Sequence, residues 1–103
     1  MNIAKMLKQA QQMQANLAKT QAELAEKQFE ASVGGGKVKV VANGGGEVLS
    51  IKIDPQVVDP QDVEMLEDLV LSGVKQAIED AKKAASTEMG KLTAGLNIPG
   101  LSL

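Results

Sequence analysis

The side chains able to do chemistry here are few in kind. The chain has 103 residues, 11 basic and 13 acidic, and every basic one is lysine. There is no His and no Cys. Their joint absence removes the commonest general base, the commonest transition-metal ligand and the most reactive nucleophile. An enzyme would have to run on Asp, Glu, Lys and Ser, so a non-catalytic role is expected, with no cofactor, no metal and no small-molecule substrate. Without Arg there are no bidentate guanidinium forks for phosphate or guanine, and what remains is the point charge of an ammonium.

Lysines are unevenly placed. Lys5, Lys8 and Lys19 have no acidic neighbour before Glu23, so the chain opens as a basic segment. From Glu47 to Asp68 the acids Glu47, Asp54, Asp59, Asp62, Glu64, Glu67 and Asp68 face Lys52 alone; beyond them Lys75, Lys82, Lys83 and Lys91 slightly outweigh Glu79, Asp80 and Glu88. The net charge of -2 conceals this dipolar layout. Lysines strung along a helix either form an ordinary solvated face or track a phosphate backbone, each releasing a counterion when it binds.

Other patterns point to structure. Gly34-Gly35-Gly36-Lys37 lacks the Ser or Thr of a phosphate loop, and apolar alternation follows it, so it reads as a hairpin turn with a solvated lysine. Glu64, Glu67 and Asp68 at a helix start are explained by dipole pairing and solvation. The stripe holding Met6 and Met13 reads as core or as an interface between chains.

These residues need elements to position them. Residues 2–28 carry Ile3, Met6, Ala10, Met13, Leu17, Thr20 and Leu24 at helical spacing, with Leu7 widening the stripe. A helix of that length spans roughly 37 Å, more than a globule of this size covers. Residues 29–54 alternate as three strands broken at Gly34-Gly35-Gly36 and Asn43-Gly44-Gly45-Gly46, the latter an expected tight hairpin. Alternation places Phe29, Ala31, Val33, Val38, Val40, Ala42, Leu49, Ile51 and Ile53 on one face. Val57 and Val58 are expected under the sheet edge. A second helix is expected over 59–89, capped by Asp59 with Pro60 first, and carrying Leu66, Leu69, Val70 and Val74 inward. Met65 and Leu71 lie off that stripe, which suits contact with a second surface. Gly90 onward reads as a flexible tail, 90–103.

The expected fold is therefore α+β: one domain over 1–103, with a long N-terminal helix, a three-stranded antiparallel β-meander and a long C-terminal helix. So much apolar helix and sheet calls for a second copy of the chain. Phe29, Val38, Val40, Leu49, Ile51, Leu66, Leu69, Val70 and Val74 are the candidate dimer interface. No run reaches the ~18 apolar residues of a membrane span, and the opening segment is no secretory signal, so a cytoplasmic protein is expected.

A resemblance extends this reading. Met6-Leu7-Lys8-Gln9-Ala10-Gln11-Gln12-Met13-Gln14 resembles the opening helix of the YbaB/EbfC family of bacterial nucleoid-associated proteins. Gly34-Gly35-Gly36-Lys37-Val38, Asn43-Gly44, Ile51-Lys52-Ile53-Asp54-Pro55 and Glu64-Met65-Leu66-Glu67-Asp68-Leu69-Val70 are similar too, in order and at natural spacing. So is the closing stretch Leu92-Thr93 with Gly95-Leu96-Asn97-Ile98-Pro99-Gly100. The resemblance implies a tweezer-like homodimer with helical arms, placed in the nucleoid, binding DNA with little sequence preference and acting in nucleoid organisation and gene expression. Relatives often carry Arg on these arms; here the DNA-binding candidates are Lys5, Lys8, Lys19, Lys82, Lys83 and Lys91. The rival reading is a dimeric protein-interaction module with no direct DNA binding.

Overall fold

Helix-forming Ala, Gln, Lys, Leu and Met without an interior Gly or Pro make α1 (Ile3–Glu26). Asn2 caps it, its side chain accepting the Lys5 N–H at 3.1 Å. The structure, a computed structural model, describes residues 2–94. After α1 come β1 (Gln28–Val33), β2 (Val38–Asn43), β3 (Val48–Ile53), one turn of 3-10 helix (Pro55–Val57) and α2 (Val63–Ala94). The sheet is antiparallel in the order β1-β2-β3. Helix, meander and helix thus follow in the expected order.

The core lies between α2 and one face of β1 and β2. Ala31, Val38, Val40, Ala42 and Ala77 are buried there, flanked by Val33, Leu69, Val70 and Val74. Gly73 brings the helix down onto the sheet: a Cβ at that position would lie 2.8 Å from Val40 Cγ2. The largest side chains fully buried are two valines, Val38 and Val40. At about 1.5–3 kcal/mol for each, such a core is thin.

Four local expectations are corrected. Asp59 does not cap α2; its carboxylate accepts the Gln61 N–H and its carbonyl the Asp62 N–H, closing a turn at Pro60. Asp62 takes the cap, accepting the Met65 N–H at 3.3 Å, so α2 starts three residues later than Pro60. Helix continues through Gly90 to Ala94, because one glycine costs about 1 kcal/mol, too little to stop an otherwise favourable helix. The rest of the expected tail, 95–103, lies outside the described residues. Asn43-Gly44 is not a two-residue hairpin: in that run Gly46 takes positive φ, its N–H bonding the Asn43 carbonyl. A bulge follows, pairing Ala42 with Val48 and leaving Leu49 as the extra residue between rows. Val57 is half-buried and Val58 exposed, so the second valine does not tuck beneath the sheet.

Lys37 is not merely solvated either. Its ammonium donates to Gln56 Oε1 at 2.7 Å and Asp54 Oδ2 at 3.3 Å, fastening the first turn to the end of β3. The Gln56 N–H and the Lys37 ammonium hold the Asp54 carboxyl below its ordinary pKa.

Candidate nucleic-acid interface

What positions α1 is its root. Leu24 is buried, and the Gly44 N–H donates to the Leu24 carbonyl at 2.8 Å. A Cβ on Gly44 would sit 2.3 Å from that same oxygen, so glycine lets helix and turn meet backbone to backbone. Lys27 is the single extended residue between α1 and β1. The helix is therefore fixed at one end by hydrogen bonds and a short link.

Its other end projects. Along the apolar stripe, Leu24 is buried, Thr20 and Met13 half-buried, and Ile3, Met6 and Leu7 exposed, Ile3 at 66%. The molecule measures 71 × 25 × 16 Å with a radius of gyration of 19.9 Å. A compact chain of this length would have ~13 Å. The overhanging rod expected from sequence is thus present.

Lys5, Lys8 and Lys19 are exposed, and none has an ion-pair partner among the described residues. At 3.6 residues per turn they fall within roughly 60° of one another, on the side of α1 away from the apolar stripe. Lys5 to Lys19 spans ~21 Å of helix. On α2 the picture differs. Lys82, Lys83 and Lys91 are exposed but spread over about half the helix circumference, and Lys91 pairs with Glu88 at 3.2 Å. The structure groups the first three lysines on one face and does not group the other three.

The expected apolar interface divides. Val38 and Val40 are wholly enclosed within one chain, which corrects their reading as surface for a partner. Phe29, Leu66, Leu69, Val70 and Val74 are half-buried, and Leu69 lies over the Gly34 turn. Leu49 and Ile51 are open, at 48% and 43%. Val48, Ile53, Val63, Met65 and Leu71 are also exposed, because α2 sits over β1 and β2 and reaches β3 little. Of these, Met65 and Leu71 were legible as off-stripe positions, whereas Val48 depended on the bulge.

Among the described residues no group of three or more acidic side chains is gathered as a metal site, and no helix is long and apolar enough to cross a membrane. Asp62, Glu64, Met65, Asp68, Leu69 and Ser72 line an open groove of about 360 Å³, wide and acidic at its rim. It offers no cradle for phosphate.

The chain is thus an α+β helix–meander–helix that carries three lysines on one face of a projecting helix. Residues 1–96 match the model of the YbaB/EbfC DNA-binding family, and the chain belongs to that family. It is 59% identical over 100 residues to a nucleoid-associated protein of Thermoanaerobacter sp. (strain X514), covering 97% of this chain and 90% of that one. It is 56% identical over 101 residues to one from Clostridium novyi (strain NT), covering 98% and 89%. A crystal structure of an uncharacterized protein from Helicobacter pylori shares the fold, with a TM-score of 0.65 at 19% identity over 76% of this chain and 90% of that chain.

Proposed function

We propose that the chain works as a homodimeric, non-enzymatic nucleoid protein that holds DNA by its phosphate backbone and so contributes to nucleoid organisation and gene expression. The observation that carries this reading is the grouping of Lys5, Lys8 and Lys19, unpaired, on one face of a projecting helix in a DNA-binding family. Point charges at helical spacing meet phosphates; without Arg forks, and with one aromatic residue in the chain, base reading and stacking are poorly supplied. Pairing of two chains is supported by the thin core and by the exposed apolar strip of β3 and the first half of α2. Leu49 and Ile51 belong to that strip, with Leu66, Leu69, Val70 and Val74 on the adjoining helix, while Phe29 lies half-buried on the opposite edge strand, β1. Lys82, Lys83 and Lys91 are secondary contacts, since each faces a different direction.

The test is DNA binding by a Lys5→Glu/Lys8→Glu variant on duplexes of unrelated sequence. Affinity is expected to fall about equally on all of them, and the slope of log K against log[salt] to flatten by roughly 2. A variant that binds like wild type removes the arm from the interface. The exposed Ile3, Met6 and Leu7 at the arm tip favour one second reading, capture of another protein. Nuclease-resistant retention of a defined partner, with negligible DNA bound at physiological salt, would select it.

A further inference from the structure

The sheet face turned away from α2 carries its own charge pattern. Register places Ser32 opposite Lys39 and Lys39 opposite Lys52, a single row across all three strands. All three are exposed, while Val38 and Val40, the neighbours of Lys39, point into the core. Neither ammonium has an ion pair or hydrogen bond among the described residues, and the Ser32 hydroxyl has none either. Two like charges directly opposite on adjacent strands repel and destabilise the pair. One row away, Asp54 is already engaged by Lys37 and the Gln56 N–H. Glu30, on the outer strand, stands across from Val41 rather than from a lysine.

We infer that Ser32, Lys39 and Lys52 form a second seat for a backbone phosphate, on the open sheet face and separate from the α1 arm. Paired strands set the two Cα atoms about 4.5–5.5 Å apart, so both ammoniums can reach one phosphate group while the serine hydroxyl donates to it. Bound anion cancels the repulsion that the free protein carries. Charge complementarity selects the occupant: two unpaired cations and a hydroxyl donor suit a polyanion. Closely spaced phosphates supply that charge along a continuous strand, whereas an acidic polypeptide supplies it less densely. The inference rests on the DNA-binding reading and extends it from helix to sheet.

The experiment compares wild type, a Lys39→Gln/Lys52→Gln variant and a Lys75→Gln control, each titrated with duplex DNA across salt concentrations. Lys75 is exposed on α2. The double variant is expected to bind roughly tenfold more weakly at low salt, with a salt slope flatter by about 1–2, while the control keeps the wild-type slope. Without DNA, the double variant is expected to melt no lower than wild type, since a repulsive pair has been removed. An unchanged slope in the double variant overturns the seat, as does equal flattening in the control or a lower melting temperature of the free variant. If the double variant instead loses binding to poly-glutamate and keeps its DNA slope, the face serves an acidic protein and the inference fails. Wild type that binds no DNA at any salt defeats the functional reading itself, which keeps the two failures apart.

Discussion

Lys37 and Asp54 show how one residue pair closes the meander. Gly34, Gly35 and Gly36 all take positive φ, turning the chain so that Lys37 meets the strand end it fastens. Asp54 is held below its ordinary pKa chiefly by the Gln56 N–H, then by Lys37. A carboxylate depressed in the folded state stabilises it above the unfolded pKa, about 3.9, and that stabilisation is lost as pH falls through the lower folded value. Thermal melts are therefore expected to show wild type losing more stability than Asp54→Asn below pH 4, with the curves of the two proteins converging there. Parallel curves across the acid range would show that the clasp contributes nothing. The turn at Lys37 was legible but its partner was not, because that partner lies across the sheet and depends on where β3 ends.

At the scale of elements, periodicity located both helices and all three strands, and the errors lie at their joints. Asp59 and Asp62 are chemically equivalent cap candidates, and the Pro60 turn decides between them in favour of the second. Leu49 shared the alternation of Ile51 and Ile53, yet a bulge moved Val48 into the row of Ala42. Such an insertion leaves no mark in a hydrophobic pattern. Gly73 is where α2 approaches the sheet beneath it. Gly73→Ala adds about 1 kcal/mol of helix propensity. It also forces a methyl to 2.8 Å from Val40 Cγ2, where a fully buried valine has no room to yield. Overpacking of ~1–3 kcal/mol outweighs the gain. Urea denaturation is expected to show a net loss of roughly 1 kcal/mol, and a stabilised variant would show that α2 can lift off the sheet without penalty.

Across the whole molecule, shape and charge act together. A 71 Å particle built from about a hundred residues exposes surface that a compact fold would hide. One portion is apolar and lies along β3 and α2; another is cationic and lies along α1 and the open sheet face. The projecting arm was legible from helix length alone, and the absence of Arg left ammonium point charges as the cationic groups. Which valines a partner could touch was not legible, since Val38 and Val40 alternate like their exposed neighbours and differ only in being covered by α2. Nor was the Lys39–Lys52 row, which needs the register of two strands rather than the pattern of either.

Whether this protein holds DNA by its backbone is read most plainly from an equilibrium titration of unrelated duplex sequences across salt concentrations. Similar affinity is expected for every sequence, with a linear fall of log K with log[salt] at a slope steeper than about -3 for lysine contacts from arm and sheet together. Affinity that is flat with salt, or binding confined to one sequence, would contradict backbone-directed binding.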